Sequence, residues 1–390
     1  MLTVYLAYGV IISAIIIYLA FIAYVKFRYP FWSRMNIQHS YNAWNRFYRI
    51  GIIDANPLEK SKWTNNNNIK IIKSKNITKS DREKLVSFIR RHKSLNNNTI
   101  NLLDQDNVSS CLDYNNKPAF IGFYHEKHYK DVSDNPITGI VSTRPLSVRI
   151  ENKYFTTYMI DNLLVDKERN KRAEDILPQL IHTIIVEQQQ INSARTCLFM
   201  REGELKIPAR TLLSYPAYLF KTENWNSSKT LPLSYQIMEM NHNDIFIMKD
   251  AIHKIPSFFK CSILPDWSGL VGMVKHKRII VRGITYNGEM QCVYFMKDPC
   301  IMHCDNSIIE CISTINLSNN IDLFVVGFND ILVSIKKKYS NVVMHNVSHT
   351  NVLLDAILNK HKPDDVNKNH LFLYNFIQPS VKNDECIIIV

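Results

Sequence analysis

The 390-residue sequence has no long run of basic residues, although its formal net charge is +12. The spread of that charge gives no reason to expect a nucleic acid as partner, and the excess favours acidic ligands or an anionic surface. Its eight cysteines are scattered and form no disulfide framework, which is the pattern of a reducing compartment. Cys300, His303, Cys304 and Cys311 lie close together, but with the spacing of no standard zinc finger and in a segment that reads as buried strand, so no metal site is expected. His39, His125, His128 and His303 stand in no recognisable nucleophile motif with Ser or Cys, which leaves a hydrolase triad without support. The N-terminus has neither the basic start nor the small-residue cleavage site of a signal peptide.

What the N-terminus does have is an uncharged apolar run, Leu2 to Val25. As a helix it measures about 36 Å, enough to cross a bilayer core of about 30 Å with some tilt. Lys26, Arg28 and Arg34 follow at once, so the positive-inside rule predicts a single-pass anchor over residues 1–25 with 26–390 in the cytosol. Tyr29-Pro30-Phe31-Trp32 then reads either as an interfacial aromatic belt or as a binding segment. Residues 36–68 look irregular and end in the polar tract Asn65 to Asn68.

The rest is organised around Tyr154 to Ile191. Tyr154 to Val165 (YFTTYMIDNLLV) is β-branched and aromatic, a strand; Asp166 to Arg172 (DKERNKR) is too charged to bury. From Ala173, the residues Ile176, Leu177, Leu180, Ile181, Ile184 and Ile185 recur at helical spacing to about Gln190. Strand, basic turn and helix N-terminus make an anion site suited to a pyrophosphate, because first-turn N–H groups lack partners and Arg169, Lys171 and Arg172 add charge. A solvated charged turn is the alternative. A second pattern occurs twice. Strand Ile69 to Ile72 leads to a helix capped by Thr78 with Asp81, and strand Tyr235 to Met240 leads to a helix capped by Asn243 or Asp244, which supports a duplicated unit. Ile137 to Ile150 reads as a strand pair or a bent strand broken at Pro145. With 46% apolar residues, the chain is expected to be α/β, a mixed sheet with helices packed on it.

The run ITGIVSTRPLSVRI, the strand ending IDNLLV, the turn Arg169-Asn170-Lys171-Arg172 and the terminal FLYNF…PS…IIIV together resemble glycylpeptide N-myristoyltransferase (N-tetradecanoyltransferase). Tyr29-Pro30-Phe31-Trp32 is similar to that family's Tyr-x-Phe-Trp segment, and Phe372-Leu373-Tyr374-Asn375-Phe376 to its Tyr-Leu-Tyr-Asn-Trp. The resemblance implies two tandem acetyltransferase-like (GNAT) halves after the anchor. A CoA-covering aromatic segment and linker over 26–68 would precede them, the acyl-CoA half would span 69–230 and the peptide half 231–390. It implies transfer of myristate from myristoyl-CoA, a co-substrate and not a bound cofactor, to an N-terminal glycine. Backbone N–H groups of Asn162 and Leu163 would form the oxyanion hole, and the terminal carboxylate of Val390 would be the base. Tyr29, Phe31, Trp32, Val165, Arg169, Asn170, Lys171, Arg172 and Ala173 would bind CoA, and Tyr215 and Tyr374 would face the peptide.

Chemically this is coherent. A thioester has a good leaving group, so an enzyme need only supply a deprotonated amine, an oxyanion site and positioning. A carboxylate among apolar walls is a stronger base than one in water. The chain departs from the family at Asp166-Lys167 for His-Lys, at Ala173-Glu174-Asp175 for Leu-Ala-Pro, at Arg201-Glu202-Gly203 for Thr-Ala-Gly, and at Ala217 for the His of Tyr-x-His. The glycine-rich Lys-Phe-Gly-x-Gly-Asp-Gly signature is missing from 360–369. The acyl-CoA side is thus the better kept. A catalytically silent, membrane-bound acyl-CoA-binding scaffold and a CoA acyltransferase with another acceptor are the alternative readings.

Overall fold

A computed structural model of the chain describes residues 2–42, 49–93, 99–126, 136–166, 173–223, 225, 231–303 and 306–390. After helix α1 (Leu2–Arg28) and a short β1 (Gly51–Ile52), the first run of elements comprises β2 (Ile69–Lys73), α2 (Lys79–His92), β3 (Thr99–Asn101), α3 (Gln105–Leu112), β4 (Phe120–His125), β5 (Ile137–Ile150), β6 (Lys153–Val165), α4 (Ala173–Ile191), β7 (Thr196–Glu202) and β8 (Leu213–Lys221). The second comprises β9 (Tyr235–Met240), α5 (Lys249–Phe258), β10 (Cys261–Leu264), α6 (Trp267–Lys275), β11 (Ile279–Tyr286), β12 (Glu289–Lys297), β13 (Ile301–His303), β14 (Asn306–Asn316), α7 (Ile321–Ile335), β15 (Asn341–His345), α8 (Thr350–Leu358) and β16 (Asp365–Tyr374). β17 (Phe376–Ile377) and β18 (Cys386–Ile388) end the chain.

The two runs repeat one order: strand, helix, short strand, helix, then three strands (four in the second run, with the short β13), a long helix and a strand. In each, the strand after the long helix lies parallel to the one before it, β7 beside β6 and β15 beside β14. The next strand in each run is exchanged. β16 pairs with β7, β8 pairs with β15, and β8 and β16 pair with each other, so one sheet runs through both halves.

Local chemistry accounts for most element boundaries. Thr78 Oγ1 accepts from Asp81 N at 3.1 Å and so caps α2. The second capping prediction needs correcting. Asp244 stands at the N-cap of a 3₁₀ turn over Ile245–Met248 that runs into α5, but neither it nor Asn243 makes a side-chain cap; instead Asn241 Oδ1 accepts from both of their amides, at 2.8 and 3.2 Å. β5 is also one unbroken strand. Pro145 pairs in register with Tyr158, and the irregularity lies instead at Val141. The segment read as a linker is docked along α4. Leu58 N donates to Gln189 Oε1 at 2.7 Å, Asn65 N to Thr183 Oγ1 at 3.0 Å, and His182 lies between Ser61 Oγ and Thr64 Oγ1 at 3.0 and 3.1 Å.

The sheet also closes on itself. Its terminal strand β18 runs parallel to β10, which pairs with β5, and β18 meets β14 through Ser313. Ser313 Oγ donates to Ile388 O at 2.6 Å and accepts from Ile388 N at 3.1 Å. The ladder path itself ends at β18, and only this side-chain contact with β14 closes β5, β6, β7, β16, β8, β15, β14, β18 and β10 into a ring. One apolar cluster takes residues from seven of these strands, among them Leu146, Met159, Leu198, Leu371, Tyr215, Ile263 and Ile388, together with Val390. Helix α1 stands apart: its span Ala7–Arg28 is long and apolar enough to cross a membrane, and only 6% of that window is buried in the protein.

Candidate active site

The β5–β6 ladder slips by one residue in the middle of the protein. Ser142 faces Asp161 and Ile140 faces Leu164, so Asn162 and Leu163 together oppose Val141, as in a β-bulge. Asn162 takes a left-handed conformation, with φ of 48°. Asn tolerates that region better than other residues with a Cβ. Its side chain helps hold the bulge: Nδ2 donates to Ser142 Oγ at 3.1 Å, and Ser142 Oγ donates to Asp161 O at 3.3 Å. On its other side β6 pairs with β7 only over Thr157–Met159, so the two strands part just before the bulge. Asn162 and Leu163 therefore lie outside the ladder register on both sides.

An apolar wall borders this opening. Ile176, Leu180, Ile181 and Ile184 of α4 pack with Phe31, Val165, Phe199 and Phe372, and half-buried Trp32, Trp63 and Leu163 join them. Phe199 and Phe372 stack at 5.0 Å; Trp32 meets them edge-on at 5.5 and 5.8 Å, and Phe31 meets Trp63 at 5.3 Å. The aromatic segment after α1 is thus folded onto the body of the protein. Tyr29 is its half-buried edge, with the Arg28 guanidinium 5.7 Å from its ring centre.

Charged side chains are carried by β5, β6, β12 and β14. Strand alternation puts Arg144 on the face of Leu146 and Val148, and its Nε donates to Asp161 Oδ2 at 2.6 Å. Lys297 and Glu310 are ladder partners on β12 and β14, 3.9 Å apart. Their side chains keep 20% and 22% of their surface open. Burial pushes the Lys297 ammonium down, with Glu310 opposing and Arg278 and Arg144 adding to the fall. Burial acts to raise the Glu310 carboxyl, but Lys297, His345 and Arg278 outweigh it and hold it below its ordinary value. His345 Nδ1 lies 3.4 Å from the Tyr215 hydroxyl.

The C-terminus enters the same region. Ile389 N donates to Ile263 O at 2.9 Å, and Val390 is 7% exposed. β18 is thus the end strand of the sheet path, yet it is buried. Counting the β18–β10–β5 registers onward places Val390 level with Leu146, two residues from Arg144.

Tyr215 and Tyr374 are each 1% exposed, with hydroxyls pushed well up by burial, so a peptide reaches either one only if the packing around it opens. Arg169, Asn170, Lys171 and Arg172 lie outside the described residues, as does the side chain of Ala173. Two cavities, of about 420 Å³ between β5, β6 and α5 and about 300 Å³ beside Trp225 and His361, lie on other faces and include neither the bulge nor Val390. Among the described residues no group of three His, Cys, Asp or Glu side chains is placed to hold a metal ion. Arg144, Asp161, Lys297, Glu310 and His345 were not anticipated from sequence. Their signal was a charge inside an apolar strand, as in IVSTRPL or SIIECIS.

The repeated order of elements and the exchanged strands define a duplicated acetyltransferase-like fold, with a large mixed sheet flanked by helices and one N-terminal apolar helix. No family model matches the sequence, and no curated protein matches it. Solved structures do match. Saccharomyces cerevisiae N-myristoyltransferase with bound myristoyl-CoA superposes with a TM-score of 0.69 at 11% identity over 91% of this chain and 94% of that one. A second structure with bound myristoyl-CoA gives 0.70 at 12% over 91% and 90%, and one with myristoyl-CoA and inhibitors gives 0.67 at 11% over 90% and 91%. The chain therefore has a divergent N-myristoyltransferase-like fold.

Proposed function

We propose that this protein is an acyltransferase that moves a fatty acyl group, myristate by analogy, from its CoA thioester to the N-terminal glycine of an acceptor protein. The observation that most supports this reading is the bulge at Asn162 and Leu163, at the point where β6 and β7 part and beside an apolar wall suited to an acyl chain. Amides outside the ladder there can donate to the oxygen that becomes negative as the amine attacks. One such donor lowers the barrier by about 3–4 kcal/mol. The CoA phosphates would rest on Arg169 to Arg172 and the start of α4, covered by Tyr29, Phe31 and Trp32. The carboxylate of Val390, enclosed in the ring, would take the amine proton. In this reading residues 69–230 hold the acyl-CoA and 231–390 face the acceptor, with β8 and β16 exchanged between them.

Incubation of the full chain in detergent with myristoyl-CoA and glycine-initiated peptides should release CoA thiol and form the N-acyl peptide. The same peptides acetylated at the N-terminus should give no product. Equal thiol release with and without a free glycine amine would contradict the reading. Helix α1 would anchor the protein with its catalytic part in the cytosol, the CoA cleft close to the bilayer where acyl-CoA partitions. Unchanged acylation in cells after replacing α1 by a soluble tag would count against that placement. The burial of Tyr215 and Tyr374 is the one observation that favours the second reading, a silent acyl-CoA-binding scaffold. Tight binding of myristoyl-CoA without any turnover would establish it.

A further inference from the structure

Amide formation removes two protons from the acceptor nitrogen. The ammonium loses one to become a nucleophile; the C–N bond then forms, the C–S bond breaks with its electron pair going to sulfur, and the nitrogen loses the second. One proton ends on the CoA thiol and one in solvent. A single carboxylate such as Val390 handles these one at a time, and a second acceptor inside the same enclosure would relieve it.

We propose that His345 is that second proton acceptor, which rests on the acyl-transfer reading above. His345 ends β15, and its ladder partner on β8 is Ala217, whose methyl group leaves room for the imidazole on the inner face. Two residues along β8, the Tyr215 hydroxyl meets Nδ1 at 3.4 Å, and the two ring centres are 5.6 Å apart. The proposal requires the tautomer in which Nδ1–H donates to the Tyr215 oxygen, which leaves the lone pair on Nε2. Among the described residues nothing hydrogen-bonds Nε2.

The surroundings connect this imidazole to the reaction centre. Tyr215 packs in the same apolar cluster as Val390. Carrying the β14–β15 register one residue on places His345 level with Ile312, next to Ser313, whose hydroxyl is bonded to Ile388, two residues before Val390. The titratable groups that face His345 are Glu310 on β14, Lys297 on β12 and Tyr215 on β8. Burial pushes the imidazole below its ordinary value, with Glu310 opposing and Lys297 reinforcing the fall, so near pH 7 it is neutral and can accept a proton.

The test is the pH dependence of kcat for the full chain in detergent, with myristoyl-CoA and a glycine-initiated peptide, for the unaltered protein, H345Q and E310Q. H345Q should lower kcat on the order of 100-fold at pH 7 and remove the imidazole's part of the acid limb, leaving only the lower one of the Val390 carboxylate, with KM for acyl-CoA unchanged. E310Q removes the charge that holds the imidazole pKa up, so its acid limb should move to lower pH. A structural role for either residue would not produce that displacement, and E310Q carries the test if H345Q does not fold. An unchanged acid limb in E310Q, or one moved to higher pH, overturns the proposal, as does an H345Q profile like that of the unaltered protein. Failure of the unaltered protein to turn over removes the acyl-transfer reading and this assignment with it. Turnover with an unresponsive limb removes only the assignment.

Discussion

Ser313→Ala tests whether the ring is what holds the C-terminus in place. Ile388 faces β14, and its N–H and C=O are both bonded to Ser313 Oγ, at 3.1 and 2.6 Å. Ser313 is 0% exposed and Ile388 2%, so water cannot replace the hydroxyl without opening the sheet. Leaving a buried polar group unsatisfied costs about 1–3 kcal/mol, so two of them put the loss at roughly 2–4 kcal/mol after partial relaxation. The damage should be local, because β18 is three residues long and held otherwise by β10. Denaturant unfolding should show that loss, and hydrogen exchange should show faster exchange confined to β18 and β10. Turnover should fall with Val390 displaced, while the affinity for myristoyl-CoA, which the proposed function assigns to the other half, should stay the same. A change in stability below about 0.5 kcal/mol with normal turnover would refute the argument that this contact closes the ring and positions the terminus.

Two further predictions concern the bulge and the docked segment. N162G should retain turnover because glycine adopts the left-handed conformation freely, whereas N162V should cost about 1–2 kcal/mol in stability and lower kcat 10²- to 10³-fold as the amides leave their position; equal activity in the two variants would remove the bulge from the mechanism. His182 is held neutral by burial, its pKa lowered to about 4. Its contribution to docking residues 55–68 on α4 is complete above about pH 6.5 and is lost as pH falls toward 4, since the released imidazole binds a proton that the docked one does not. The hydrogen-exchange protection of 58–65, taken relative to the intrinsic rate at each pH, should fall as pH drops over that range in the unaltered protein and not in H182N.

Much of this fold was readable from periodicity. The strand and helix on either side of Asp166, the Thr78 cap and the apolar first helix each follow from residues close together in sequence. The bulge was located only through resemblance, because Asp161-Asn162-Leu163-Leu164 reads as ordinary strand and the slip depends on how it pairs with β5. Pro145 was taken for a break since proline donates no ladder hydrogen bond, yet β5 runs straight through it. The docking of 55–68 on α4 rests on Gln179, His182, Thr183 and Gln189, polar residues that look like a solvent face until the partner segment is known. The contact of β18 with β14 joins residues 75 positions apart, and Lys297 meets Glu310 from another strand. No local pattern encodes such distances.

The most direct measurement is N-acylation of a glycine-initiated peptide by the full chain and by a variant lacking only Val390, with myristoyl-CoA binding measured in parallel. Removing one residue draws the terminal carboxylate back by about 3.3 Å and leaves the acyl-CoA half untouched. The account predicts acylation by the full chain and a fall on the order of 100-fold or more in the shortened one, with equal myristoyl-CoA affinity. Equal rates from the two would contradict the assignment of the C-terminal carboxylate as the base.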